Sequence, residues 1–200
     1  MEQETEFHMI EYLILKLLNV NEASPINGKI HAQKLLFLII QNFDKLQEEL
    51  DYKAHKLGPY SAALETGLEE LRYMGDIVLK KKEEIKITEK GKNILDEIEE
   101  KQFQNSENEN VVANLVEVME DIKDEFNEFS TNEMLAFIYK SYPEYISNSV
   151  KADQLDYEKI FLGLYERGLL GISKIAELMD WSYDDAYKFV HQKAERLMIQ

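Results

Sequence analysis

Hydrophobic positions recur at helical spacing along most of the chain. Between residues 7 and 20 the apolar side chains follow the i, i+3, i+4, i+7 rule of an amphipathic helix. The same spacing predicts helices over residues 29–41, with a wide apolar face, and over residues 61–74, which Ser61 opens. The polar residues 42–59 between them are predicted to be a connection.

A strand-like pattern follows these helices. Residues 77–79 and 85–88 have the β-branched content and alternation of short strands, and the charged residues 80–84 lie between them as a turn. Thr88 is predicted to cap a further helix over residues 89–101. The order helix, helix, helix, hairpin, helix predicts a winged helix-turn-helix.

Helical patterns resume beyond a polar stretch at residues 102–110. They cover residues 111–129, 132–141, 154–167 and 172–197, so the fold class is mainly α. The predicted organisation is a winged-helix module (1–101), a linker (102–110), a helical connector or dimerisation region (111–150) and a C-terminal helix-turn-helix-like module (151–200).

The C-terminal segment has the features of a second helix-turn-helix. Ala176 supplies a small residue where two helices cross, and Asp180 tolerates the left-handed conformation of a tight turn. Ser182 with Asp185 resembles a capping box at the second helix. The alternative is a structural helical hairpin that never contacts DNA.

Candidate DNA contacts fall on both helix-turn-helix segments. In the C-terminal segment, Asp184 and Asp185 would repel phosphate, whereas five later residues are hydrogen-bond donors: Lys188, His191, Gln192, Lys193 and Arg196. The predicted wing carries Lys80, Lys81 and Lys82, which would grip phosphates or form a solvated turn. The third helix is expected to face outward with Tyr60, Ser61, Glu65, Glu69 and Arg72, a mixed set that leaves a protein-interaction surface open.

The charge distribution permits DNA binding without requiring it. The 200 residues carry a net charge of −16, and phosphate binding requires Lys and Arg. Residues 29–92, however, hold 12 basic and 11 acidic side chains, a net charge of +1. The acidic residues are concentrated at the N-terminal tip, in the middle of the chain and in the helix after Gly91.

No catalytic motif is visible in the sequence. The chain has no cysteine, and its four histidines lack the spacing of a metal site. It contains neither a phosphate-binding glycine loop nor a nucleophile elbow. Without a signal peptide or an apolar run of membrane-spanning length, the protein is expected in the cytoplasm, with no membrane partner, metal or cofactor.

Several short motifs resemble known families. The residues Lys34-Leu35-Leu36-Phe37, Leu57-Gly58-Pro59-Tyr60-Ser61, Gly75-Asp76-Ile77 and Thr88-Glu89-Lys90-Gly91 resemble, in that order, the YwgA-like and phage-associated SocA/Panacea-type proteins. Tyr142-Pro143-Glu144-Tyr145 extends the resemblance to about residue 150. It implies a winged-helix-like fold and an antitoxin or adaptor role.

The C-terminal segment is similar to a different group. Leu164-Tyr165-Glu166-Arg167-Gly168 and the segment from Ile172 to Tyr183 are similar to small archaeal antitoxin-like helix-turn-helix proteins. This chain has Ile175 and Asp180 where those proteins tend to carry Ala and Gly. Both resemblances imply a regulatory role.

The sequence therefore favours a DNA-binding transcriptional regulator or antitoxin-type protein that is not an enzyme and acts as a homodimer. The alternative is a protein-interaction adaptor or antitoxin that neutralises a toxin or other basic partner protein without binding DNA. A hydrolase or transferase whose site is assembled only by folding ranks last.

Overall fold

The computed structural model describes residues 2–80, 84–102 and 106–197, and side chains within residues 9–80, 84–101 and 110–192. The described chain is mainly helical with an antiparallel hairpin, which confirms the coarse fold class predicted from the sequence. The helices are α1 (Glu2–Ala23), α2 (Gly28–Ile40), α3 (Asp44–Leu50), α4 (Ala62–Met74), α5 (Glu89–Gln102), α6 (Ser106–Phe126), α7 (Thr131–Ser141), α8 (Tyr157–Glu166), α9 (Ile172–Met179) and α10 (Tyr183–Leu197). The strands are β1 (Lys53–His55), β2 (Gly58–Tyr60), β3 (Ile77–Leu79) and β4 (Ile85–Ile87), and two 3-10 helices span Pro143–Ile146 and Ala152–Gln154.

The chain divides into two compact units. The first unit comprises residues 1–53 and 59–128, and the second comprises residues 54–58 and 129–200. In the first unit α1 packs against α4, α5, α6 and β4, and α2 packs against α4 and α6. The apolar faces that the helical spacing predicted supply its core, including Leu13, Leu17, Leu35, Leu36, Leu68 and Leu95.

The predicted hairpin is confirmed in the first unit. Strands β3 and β4 are antiparallel, with Ile77 opposite Ile87. Ile26, which precedes α2, forms an additional antiparallel bridge with Ile85 through backbone hydrogen bonds of 3.1 and 2.8 Å. The hairpin is therefore hydrogen-bonded to a chain segment distant in sequence.

The stretch at residues 42–59 is more ordered than the predicted connection. It contains the short helix α3 and the strands β1 and β2, which form a second two-stranded sheet. Elements of three to seven residues are too short to show a periodicity, and the polar composition concealed them. Helix α6 also begins earlier than expected, at Ser106.

A buried lysine caps the end of the regular part of α1. The helix breaks at Val20, and residues 21–23 all have positive φ angles, of 54°, 58° and 55°. The carbonyls of Leu17 and Val20 accept hydrogen bonds from the ammonium group of Lys123 in α6, at 2.9 and 3.0 Å. Burial lowers the pKa of Lys123 to about 8.

The second unit is built on α7. This helix begins with a capping box, in which the Ser130 hydroxyl accepts from the Glu133 N–H (3.4 Å) and the Glu133 carboxylate accepts from the Ser130 N–H (2.7 Å). Helix α7 packs against α8 and α9, and α9 packs against α10. Residues 54–58 belong to this unit, in which the Lys56 carbonyl accepts a hydrogen bond from the Val150 N–H at 3.0 Å.

Candidate interaction surfaces

The start of α4 is fixed by a serine that the sequence analysis placed on the outside. Ser61 is fully buried, and its hydroxyl accepts a hydrogen bond from the Leu64 N–H at 3.2 Å as the N-cap of α4. The expectation that Ser61 faces outward is wrong, because capping turns the hydroxyl inward onto the first helical turn. Its side chain is inaccessible to any partner.

A side-chain amide from α2 holds the backbone of the same serine. Gln33 Nε2 donates to the Ser61 carbonyl at 2.9 Å, and the Ser61 N–H donates to Gln33 Oε1 at 3.1 Å. The Tyr52 hydroxyl in turn donates to the Gln33 carbonyl at 2.8 Å. The two hydrogen bonds between Gln33 and Ser61 fix the position of α4 relative to α2.

Lys34 makes a second connection between the same two segments. Its ammonium group is buried and donates to the Pro59 carbonyl at 2.5 Å. Burial lowers the pKa of Lys34 to about 7. The motif around Lys34 and the motif around Ser61, which the sequence showed only as a resemblance, therefore meet in space and position α4.

The end of α4 is held as firmly as its start. Gly75 ends the helix in the left-handed conformation, with φ of 83°. The buried carboxylate of Asp76 lies 2.7 Å from the Lys90 ammonium, and the Asp76 carbonyl accepts from the Thr88 hydroxyl at 3.0 Å. A Cβ at Gly91 would lie 2.2 Å from the Asp76 carbonyl oxygen, so only glycine fits there without a shift of the backbone. Thr88 caps α5 as predicted, since its hydroxyl accepts from the Gly91 N–H at 3.1 Å.

The outward face of α4 carries two apolar side chains that the sequence analysis did not single out. Tyr73 is 91% exposed and Met74 is 52% exposed. They line an open surface groove together with Glu69 and Glu70. The available signal was Tyr73 itself, a large aromatic residue lying off the apolar row of α4.

The charges beside this groove are mostly negative. Lys29 from α2 forms ion pairs with Glu65 at 3.0 Å and with Glu69. Arg72, a predicted DNA contact, is half exposed and lies 3.7 Å from Glu69. The two cations compensate two of the three carboxylates, Glu65, Glu69 and Glu70, so one net negative charge remains around the groove. We name the set Glu69, Glu70, Tyr73 and Met74 the α4 patch.

The predicted wing is described only in part. Lys80 is exposed, and its N–H donates to the Glu84 carbonyl at 2.8 Å, which closes the hairpin. Lys81 and Lys82 lie outside the described residues. Tyr60 ends β2 and is half-buried, so it is less accessible than an outward residue.

The two helices and the turn predicted for the C-terminal segment are present as α9, Asp180 and α10. Helix α9 ends at Asp180 in the left-handed conformation (φ 54°), which the sequence analysis expected of this residue. The Ser182 hydroxyl accepts from the Asp185 N–H at 3.1 Å and donates to the Asp185 carboxylate at 2.6 Å, so Ser182 caps α10. Ile175, which stands where the similar antitoxin-like proteins tend to carry alanine, is fully buried.

Five described residues of α10 form an exposed surface. Tyr183 is 54% exposed, Tyr187 is 47% exposed, and His191 stacks on Tyr187 with ring centroids 4.0 Å apart and an interplanar angle of 18°. Lys188, which lies between Tyr187 and His191 in the sequence, is also exposed. We name Tyr183, Tyr187, Lys188 and His191 together with Asp184 the α10 face. The two tyrosines were not among the predicted site residues.

Of the remaining predicted residues of α10, only Gln192 lies among the described side chains. Gln192 is exposed and lines an open surface groove with Lys188, Asp185, Trp181 and Phe189. Trp181 and Phe189 form an edge-to-face pair with centroids 5.1 Å apart. The side chains of Lys193 and Arg196 lie outside the described residues.

The known proteins give no guide to these surfaces. No protein-family model, no curated protein and no solved structure matches the chain. No cluster of metal-ligating side chains occurs within the part of the chain that the structure describes. None of the helices in that part is both long and apolar enough to cross a bilayer. The fold and the surfaces define a mainly helical protein with an antiparallel hairpin and exposed tyrosines on α4 and α10.

Proposed function

We propose that this chain is a regulatory binding protein of antitoxin type, and that its first unit is a winged helix whose α4 patch binds a basic protein partner. The order α1, α2, α4, hairpin, α5 supports the winged-helix assignment. The tether between Ile26 and Ile85 supports it too, since it joins the hairpin to the segment before α2. In this assignment α4 occupies the place of the recognition helix.

The α4 patch is the observation that carries the proposal. Tyr73 and Met74 expose apolar surface beside a groove, and aromatic and methionine side chains are enriched at protein interfaces. The three carboxylates around the groove outnumber the two cations by one, which disfavours a phosphate backbone and favours lysine or arginine. A protein segment with basic and apolar side chains matches both properties, whereas DNA matches neither.

The test is capture of the partner followed by reconstitution. The full-length chain is used to isolate a partner from its source cell in parallel with a Glu70→Lys/Tyr73→Ser variant and a Val150→Ser control. Val150 is 54% exposed and lies in the second unit, so the control removes exposed apolar surface elsewhere. We expect one basic protein in stoichiometric amount with the wild type and the control, and its loss with the α4 variant.

Titration calorimetry with the purified partner then gives the affinity. We expect binding to weaken at least tenfold in the α4 variant, the loss of about 1.4 kcal/mol that removing one interface anchor produces. A partner that binds the variant and the wild type equally would show that the α4 patch is not its site. Failure to isolate any stoichiometric partner would remove the support for this function.

DNA binding is the second candidate, and the hairpin favours it. Lys80 is exposed where the hairpin closes, and Lys81 and Lys82 follow it in the sequence. Lysines at this point would contact phosphates on either side of a groove. A mobility-shift assay on the upstream region of the gene at low salt tests this role.

The salt dependence identifies the lysines involved. If DNA binds here, replacing Lys80, Lys81 and Lys82 by alanine should flatten the plot of log affinity against log salt by about 0.9 per lysine, up to about 3. No shift at low salt argues against this candidate. A shift with an unchanged slope in the variant would place the DNA contact elsewhere.

A further inference from the structure

The α10 face has an exposed row of rings in the second unit. Tyr183 and Tyr187 lie one helical turn apart with ring centroids 6.4 Å from each other, and His191 continues the row one turn later. Roughly half of each tyrosine is accessible. Tyrosine is among the residues most enriched in interface hot spots, because its large rigid ring loses little entropy on binding.

The charges on this face change sign along the helix. The exposed carboxylate of Asp184 lies in the first turn of α10, and the exposed ammonium of Lys188 lies one turn later. His191 follows in the next turn, with its ring Nδ1 2.9 Å from the Tyr187 carbonyl. Along the face the carboxylate of Asp184 therefore precedes the ammonium group of Lys188 by one turn.

A surface with this order is complementary to itself in one orientation only. When two copies of a helix pair antiparallel about a two-fold axis, the start of each helix faces the later turns of the other. Parallel pairing would instead bring Asp184 against Asp184 and Lys188 against Lys188. The charge order thus selects an antiparallel pair.

We propose that α10 is a homodimer surface, paired antiparallel with α10 of a second copy around an axis at Tyr187. Since a helix rises 1.5 Å per residue, Tyr183 and His191 lie equally far from Tyr187, about 6 Å along the helix. Tyr183 then packs against His191 of the partner subunit. Asp184 lies within reach of Lys188 of the partner subunit, and the two Tyr187 side chains meet at the axis.

This surface is separate from the α4 patch, so the dimer does not depend on the proposed function. A single helix pair lies at the small end of the interface scale, well below the roughly 1,600 Å² of a standard complex. We therefore expect a dimer of micromolar affinity that exchanges rapidly.

Cysteine cross-linking tests the axis directly. The chain has no cysteine, so Tyr187→Cys introduces a single thiol, and Tyr183→Cys on the same face is the matched control. With the full chain and mild oxidant, the antiparallel pair predicts a covalent dimer for Tyr187→Cys and at least tenfold slower cross-linking for Tyr183→Cys. Equal rates for the two variants would indicate a parallel pair or random collision and would overturn the proposal.

Sedimentation equilibrium tests the charge order. We expect the wild type to change from monomer to dimer between about 1 and 200 μM, the range of a small interface. Asp184→Lys should weaken the dimer at least tenfold, and the double variant Asp184→Lys/Lys188→Asp should restore it, because both signs are exchanged. Tyr73→Asp, on α4, should leave it unchanged.

Three results would refute the α10 dimer. The first is a wild type that stays monomeric up to 200 μM, and the second is a charge-exchanged double variant as weak as Asp184→Lys. The third is loss of the dimer in Tyr73→Asp, which would move the interface to α4. Circular dichroism of each variant checks that the helices remain folded, and a variant that unfolds is replaced by Tyr187→Phe, which should dimerise.

Discussion

Helix α4 in the first unit and α10 in the second both follow a serine cap and expose tyrosine, yet their faces differ in charge order. Around the α4 patch Glu69 and Glu70 face the groove, and the nearby cations are compensated. Along the α10 face a carboxylate precedes a lysine. A surface with an excess of one sign favours a different molecule of the opposite sign, whereas a surface of alternating sign can pair with itself.

The anchoring of the two helices differs as well. The cap of α4 is fully buried and held by Gln33, and that of α10 is exposed. The cost of disturbing a polar contact rises with burial, since a buried group left unpaired cannot turn to water. The two units should therefore respond differently to equivalent substitutions, which gives four predictions in descending order of effect.

The largest effect is expected at Gly91 in the first unit. Gly91→Ala would place a methyl group 2.2 Å from the Asp76 carbonyl oxygen, so α5 must shift away from the segment that follows α4. We expect the free energy of unfolding to fall by about 3 kcal/mol, the upper part of the range for overpacking. Urea unfolding followed by circular dichroism measures this loss, and a loss below about 1 kcal/mol would contradict the close approach.

The second effect is a loss of stability in acid that arises in the first unit. Burial lowers the pKa of His31 to about 4, against a partly opposing hydrogen bond with the Phe126 carbonyl. Between pH 6.5 and 4 the unfolded chain binds a proton that the folded chain does not, so stability falls as the pH falls. We expect a loss of about 2 to 3 kcal/mol at pH 4 relative to pH 7.

The variant His31→Gln, which does not titrate, isolates this contribution. The difference in unfolding free energy between wild type and variant should shrink as the pH falls from 7 to 4. Tyr139 and Tyr157 in the second unit do not contribute to this acid loss, because they titrate in base and burial raises their pKa further. The fluorescence of Trp181, the single tryptophan, reports on that unit. A pH-independent difference between wild type and variant would exclude His31 as the source.

The sequence predicted α4 and α10 because the signals for both helices are local. Ser61 and the apolar spacing after it predicted α4 to within one residue, and Asp180 predicted the turn before α10. Both signals are local, because a cap or a left-handed residue acts within a few residues of itself. Helix α3, of seven residues, had too few positions to show a period.

The burial of polar residues could not be predicted in the same way. Lys34 and Lys123 are buried because backbone carbonyls of other segments accept their hydrogen bonds. Lysine is almost never fully buried without a partner, and sequence alone does not reveal that partner. The expectation for Ser61 failed for a different reason: its hydroxyl caps α4 locally, and this turns the side chain inward. The exposure of Tyr73, by contrast, could have been read from its position on the polar side of α4.

The third effect compares the two serine caps directly. Ser61→Ala should cost about 2 kcal/mol and Ser182→Ala about 1 kcal/mol, at the upper end and middle of the range for N-caps. The difference follows from burial, because water can replace the lost hydroxyl at the N-terminus of α10 but not at that of α4. Chemical denaturation of both variants measures the two values. Equal losses would show that burial does not separate the two helices.

The smallest effect is a gain at Gly163, within α8 of the second unit. A Cβ added there would meet no atom within 4 Å, the opposite of Gly91. Gly163→Ala should raise the unfolding free energy by about 0.5 to 1 kcal/mol, because alanine loses less backbone entropy in a helix. Urea unfolding followed by Trp181 fluorescence measures the gain in that unit. If Gly91→Ala lowers the unfolding free energy and Gly163→Ala raises it, the space around the Cβ decides the outcome, since helix propensity favours alanine at both positions.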